Sequence, residues 1–253
     1  MKLFRLLTTS VLLLLISGCS TFQEWFGSEE EDATAPVELE RIDTKVKLKK
    51  QWSIKIGDGQ GDGFYNVNLD LSDQQLNAYT AKQLIAVDTE LHGLKMNRDD
   101  ICLIQLGDDA RNVTLIRPNL SRPPKNLKIL LEDSSVRKLF HFALTDVAFF
   151  ATSIGIVVEN FRCTKVMSKI VRTYTDSHGL KNLCEELLGI ELSKQQQQTN
   201  WASPNLTQKQ LEYAASDVYY LIEIYHHLEE MMSYRPPLPS GKTVNEINDI
   251  AQE

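Results

Sequence analysis

The stretch LIAVDTELHGL, Leu84 to Leu94, constrains the fold of this chain more than any other. An apolar run climbs to Asp88 and Glu90, then breaks at Gly93. A short apolar run bounded by turn residues reads as a buried strand. Side chains at i and i+2 of a strand share one face, so both carboxylates project from the same side. Two buried carboxylates without a partner repel each other and are driven toward protonation. Hard oxygen donors placed together suit Mg²⁺ or Mn²⁺. A solvated strand end would explain the pair as well, if it stood alone.

Two other segments join it. HFALTD puts Asp146 just after another apolar run, RKLFHF, at the mouth of a helix. LEYAASDVYYL puts Tyr213 and Asp217 four residues apart, on one helical face. Four carboxylates from three separated segments can converge on a pair of metal ions. Such a site holds its ions about 3.5–4 Å apart and clamps the attacking and leaving oxygens of a phosphodiester.

The surroundings predict an α/β fold. LIAVDTE, ICLIQLGD and NVTLIRP read as three strands, with HGLKMNRDD as a turn and GDDARN closing a hairpin. RKLFHF is a fourth apolar run. Helical periodicity then takes over in ALTDVAFFATSIG, CTKVMSKIVRTY and HGLKNLCEELLG, the first and last closing on Gly155 and Gly189. SKQQQQTNW reads as a polar loop, followed by one long helix from about Thr207 to Met232 that RPPLP stops. The polar tail, 236–253, reads as flexible. Hairpin strands followed by alternating strands and helices argue a mixed β-sheet flanked by helices.

The N-terminus has another texture. Lys2 and Arg5 precede an apolar run from Val11 to Ile16, then LISGCS places small residues before Cys19. Charged start, short apolar core and small residues describe an export signal, with Cys19 as the lipidation site of a lipobox. The run is shorter than the about 20 residues a membrane-spanning helix needs. Residues 1–19 are therefore expected to be a lipoprotein signal peptide. Residues 20–63 are expected to be an acidic linker and a strand-bearing stub. The other cysteines, Cys102, Cys163 and Cys184, form no CxxC pair and sit among apolar neighbours, which suits core filling. A net charge of −7 announces no basic nucleic-acid surface, although clustered metal-binding carboxylates would also make a chain acidic.

Asp88-x-Glu90, Asp146 in H-x-A-x-x-D, and Tyr213-x-x-x-Asp217 resemble the three exonuclease motifs of the DEDD superfamily, in its DEDDy branch. From about Val67 to Tyr234, and above all from CTKVMSKIVRTY to AASDVYYL, the chain is similar to short ribonuclease D-like proteins. The resemblance implies a ribonuclease H-like fold over 64–235 and 3′→5′ exonuclease chemistry. It implies two divalent ions, Mg²⁺ or Mn²⁺, on Asp88, Glu90, Asp146 and Asp217, with no organic cofactor. It also implies that Tyr213 helps to position or deprotonate the attacking water; an ordinary tyrosine pKa near 10 makes a poor base at neutral pH, which favours positioning. The partner would be nucleic acid with a single-stranded 3′ end, RNA favoured. The chain departs from the family pattern at Leu91, His92, Leu144, Thr145 and Asn200, none of them a metal ligand in the motifs. Residues 1–63 resemble the start of the propeller lipoprotein of the outer-membrane barrel-assembly machinery, but no repeated blades follow.

Substrate contacts are expected from a basic stripe of Arg162, Lys165, Lys169 and Arg172, joined by Lys181. A solvated helix face explains that stripe equally well. His178, in a turn, is a candidate phosphate contact. Trp201 and Phe142 are candidate stacking rings, with core packing the alternative for Phe142. His141 reads as a strand-end histidine, and His226 and His227 as surface residues. Two further function classes stay open. One is a lipid-anchored envelope assembly factor, which needs a propeller the chain lacks; the other is a nuclease fold that only binds nucleic acid. The nuclease resemblance implies the cytoplasm, whereas the signal with Cys19 implies an outer-membrane lipoprotein facing the periplasm, so the halves conflict.

Overall fold

A computed structural model describes residues 67–193 and 195–252. The signal peptide, Cys19, the linker and the strand expected in QWSIKIG lie outside the described residues. Among the described residues no helix is long and apolar enough to cross a membrane.

Six strands form one sheet: β1 (Val67–Asn68), β2 (Leu84–Leu91), β3 (Ile101–Gly107), β4 (Val113–Ile116), β5 (Arg137–Phe140) and β6 (Phe161–Cys163), in the order β1-β4-β3-β2-β5-β6. The sheet is mixed: β2, β3 and β4 pair antiparallel, and β5, β6 and β1 add in parallel. The strand that carries Asp88 and Glu90 is thus interior, paired on both sides. Alternation along it explains the two layers. Ile85 and Val87 enter one apolar cluster and Ala86 enters the other.

Helices α1 (Asp73–Thr80), α2 (Lys125–Leu131) and α3 (Ala143–Ile154) cover the Ile85/Val87 face. The other face is covered by α4 (Thr164–Val171), α5 (Leu180–Leu183), α6 (Gln208–Tyr219), α7 (Leu221–Ser233) and, through Val244, α8 (Val244–Gln252). Sequence sets these ends locally. Ser72 with Gln75 and Thr207 with Gln210 make capping boxes at α1 and α6. Gly155 ends α3 with φ 64° and Gly189 ends a π-type turn, Cys184–Leu188, with φ 67°.

Two expectations are corrected. The long helix expected from Thr207 to Met232 is two helices, broken at Tyr220, where φ is −105°. The break lets α6 lie across β2, β3 and β4 while α7 packs on α4 and β5. The tail expected to be flexible contains α8, with Val244 and Asn248 buried. Its Gln252 amide accepts from Cys163 N–H at 2.7 Å and donates to Cys163 C=O at 3.1 Å, covering the edge of β6. Helical amphipathicity was present there, but polar composition hid it.

Candidate active site

The site lies at the end of β2. Asp88 pairs with Gln105 of β3 and Glu90 with Leu103, and the register shifts between Glu90 and Leu91. That irregularity offsets the ladder, which resumes at Leu91 opposite Ile101, just where the carboxylates project, a usual place for a bulge. Asp217 comes down on them from α6. Gly107 allows the approach, since a Cβ there would lie 3.1 Å from the carbonyl of Val218, the residue next to Asp217. Carboxylate oxygens of Asp88, Glu90 and Asp217 all lie within 4.8 Å of one another.

Asp146 approaches differently. Phe142, between β5 and α3, takes φ 73°, a strained value for a side-chain-bearing residue, and turns the chain into the helix. Asp146 then sits in the first turn of α3, where the helix dipole favours an anion. It is buried, at 7% exposure, and accepts a hydrogen bond from Thr89 Oγ1 at 2.5 Å. Asp146 stands outside the three-carboxylate cluster, though its charge acts on Asp88 and Glu90. Thr89 is a site residue that sequence reasoning missed. The signal was available: the middle residue of D-x-E faces the other way, toward α3.

Electrostatics sets this cluster apart. Burial, then the charges of Asp146, Asp217 and Glu90, hold the Asp88 carboxyl well above its ordinary range. Burial, Asp217 and Asp146 push Glu90 up to about 9. Burial raises Asp146 to about 7 against the Thr89 hydrogen bond, and Asp217 to about 7 against one from Tyr213. The charges acting on Asp88 and Glu90 are those of other carboxylates. Converging hard oxygens of one sign fit divalent cations, which would let all four ionise together. Tyr213 is raised above its ordinary value by burial and then by Asp217, Glu90 and Asp88. It stays protonated and can donate, and its hydroxyl hydrogen-bonds Asp217. Its ring lies 6.1 Å from that of Trp201.

The substrate-side expectations divide. Lys165 keeps its ammonium 4.8 Å from the Phe142 ring centroid, and Lys181 stands 3.9 Å from Glu191. Lys169 is half-buried on α4. Arg172, expected on the same stripe, is fully buried instead. It donates to Ser168 Oγ at 2.9 Å, to Ser177 C=O at 2.8 Å and to both oxygens of Glu186. Arg162 belongs to β6 and pairs with Asp249 at 3.4 Å. The expected stripe is therefore not one helical face. His178 is buried with Nδ1 2.9 Å from Ser168 Oγ, and burial with the charges of Arg172, Lys169 and Lys165 holds its imidazole down. Trp201, at 3% exposure, packs beneath Tyr213 rather than offering a face to a base. His141 meets Thr164 Oγ1 at 3.0 Å through Nδ1, and burial pushes it down to about 3.

The unexplained residues after Glu90 also find places. Leu91 packs partly into the α3-side cluster, and His92 donates its N–H to Asp100 C=O at 3.0 Å. Gly93 has φ 151°, and a Cβ there would lie 2.3 Å from Asp99 Oδ2. Asp99 accepts from Lys95 N–H at 2.9 Å and from Arg98, which fixes the loop.

A sequence model described as 3′–5′ exonuclease matches residues 68–233. The chain belongs to the 3′–5′ exonuclease family. It is 32% identical over 151 residues to ribonuclease D of Cronobacter turicensis, covering 60% of this chain. That match spans 40% of the relative, so this chain corresponds to under half of the curated ribonuclease D it resembles. Among solved structures, NrnC of Brucella melitensis superposes with a TM-score of 0.63 and 38% identity, covering 72% of this chain and 83% of that one. NrnC structures include one with bound Mg²⁺, at 36% identity, and one bound to pGG, at 40%. The exonuclease fold expected from the motifs is the fold observed.

Proposed function

We propose that this protein is a ribonuclease D-like 3′→5′ exonuclease that removes nucleotides from RNA 3′ ends, with residues 64–235 as the nuclease domain. The observation that carries the reading is the one-signed carboxylate cluster beside a protonated tyrosine, in a chain of the exonuclease family. Asp88, Glu90, Asp146 and Asp217 would hold two divalent ions. When bound, such ions acidify a coordinated water and offset charge on the phosphoryl oxygens. Thr89 holds Asp146 in place. Tyr213 keeps its proton, donates to Asp217 and leaves a hydroxyl beside the cluster to align the water. Its ring is fixed by Trp201. Lys165, over the Phe142 ring where the helix carrying Asp146 begins, would supply a cation for the backbone of the retained strand.

The likeness to NrnC bound to pGG supports a second substrate size, 5′-phosphorylated dinucleotides. Purified protein with Mn²⁺ is to be given 5′-labelled RNA carrying a 3′-hydroxyl, and separately a labelled dinucleotide. The reading expects a ladder shortening from the 3′ end, mononucleotide products and no activity in Asp88→Ala. Internal cuts, or undiminished activity in Asp88→Ala, would refute it.

A further inference from the structure

Gln105 is the largest polar question left inside the sheet. Its side chain is fully buried, and neither Nε2 nor Oε1 has a hydrogen-bond partner in the protein. A primary amide offers two donors and an acceptor with two lone pairs, and burying all of them unpaired is costly. Leu or Met would fill the same volume without that cost. A glutamine at this point therefore calls for a partner in the working protein.

Its position names the partner. Gln105 lies mid-strand in β3, between Leu103 and Gly107, with Asp88 opposite on β2 and Leu115 opposite on β4. Leu103, Leu115 and Ala86 belong to the apolar cluster beneath α6, with Ala214 and Val218 above them. Gln105 alternates onto that same face, where Asp88 is its polar cross-strand neighbour. Directly opposed residues of an antiparallel pair have Cβ atoms about 4.5–5.5 Å apart, within reach of a glutamine amide. One buried water would bridge any remainder.

We infer that Gln105 is a positioning residue for Asp88: its amide N–H, which meets no protein acceptor, donates to the Asp88 carboxylate through one buried water and fixes that ligand for a divalent ion. A neutral amide suits the task because it orients a carboxylate without adding a charge that competes with a cation. Hydrogen-bonded neighbours of metal ligands orient them in this way. The inference rests on the nuclease reading above and adds to it a residue outside the ligand set.

The test compares full-length wild type with Gln105→Leu and Gln105→Met. Mn²⁺ affinity is read by electron paramagnetic resonance without substrate, and kcat and KM are read on a short RNA. Both variants are expected to bind Mn²⁺ about 10-fold more weakly and to lose kcat to a similar degree. KM should not move, and the melting temperature of the metal-free protein should hold or rise, since a buried amide has been replaced by an apolar group. Variants that bind Mn²⁺ and turn over like wild type would overturn the inference while leaving the nuclease reading intact. So would variants that melt lower but whose folded fraction binds Mn²⁺ normally, because Gln105 would then only pack. Wild type that binds no Mn²⁺ would overturn both.

Discussion

Two regions of this protein bury charge, in opposite ways. Around Arg172 the chain supplies both signs. The guanidinium is fully buried, yet Glu186, Ser168 and Ser177 take its hydrogens, and Tyr174 donates to the same Glu186. At the end of β2 the chain supplies one sign only, and each carboxylate is raised by burial, Asp88 and Glu90 also by their neighbours. The first region is complete without a ligand. The second is completed by something cationic from outside. Buried charge balanced within the chain marks scaffold, and buried charge left unbalanced marks the site.

The contrast can be broken by removing one group from each side. Asp88→Ala should lower exonuclease activity by at least about 10³-fold, because the cluster that would hold the ions loses one of its carboxylates, while melting temperature holds or rises. A loss of melting temperature without loss of turnover would invert the assignment. Arg172→Ala should do the reverse, costing about 3 kcal/mol of stability and leaving Mn²⁺ affinity of the folded protein intact. Denaturant melts with and without Mn²⁺ measure both.

Acidity sharpens the same contrast. In the unfolded chain these carboxyls titrate near about 4, and in the folded, metal-free protein Asp146 and Asp217 titrate at about 7 and Glu90 at about 9. Between those values the folded state binds more protons than the unfolded one, so stability falls as pH rises through the window and is whole below it. Metal-free protein should melt at falling temperature from about pH 4 to about pH 9, with Mn²⁺ restoring the loss at the alkaline end. Asp217→Asn should flatten the profile. A flat wild-type profile would contradict the cluster's electrostatics.

Smaller effects follow at the edges. Tyr213→Phe keeps the ring on Trp201 but removes the hydroxyl, so kcat should drop about 10-fold with little change in melting temperature. Lys165→Ala should raise KM a few-fold and spare kcat, since the ammonium lies over the Phe142 ring, at the turn into the helix that carries Asp146. Equal losses in both constants would place Lys165 in the chemistry.

Much of the site was legible in the sequence. Asp88, Glu90 and Asp217, whose oxygens the fold brings together, stood out because carboxylates after an apolar run or on one helix face with a tyrosine need a reason to be there. The main strands were legible for the same reason. What stayed hidden depends on tertiary contact. Strands β1 and β6 have two and three residues, too few for any period to show. Arg172 has helical spacing from Lys165 and Lys169, yet it is the C-cap, with φ −101° and ψ 57°, and turns inward. Trp201 follows a polar loop, and nothing in that loop tells that the ring packs beneath Tyr213. Thr89 was overlooked because a threonine between two acids looks like filler until Asp146 arrives from another segment.

The most direct measurement is a calorimetric titration of Mn²⁺ into metal-free protein near pH 8, with Asp217→Asn beside it. The account predicts saturable binding of about two ions per chain for wild type, weakened in the variant. No binding by wild type, or binding that the variant retains unchanged, would contradict the claim that outside cations complete this cluster.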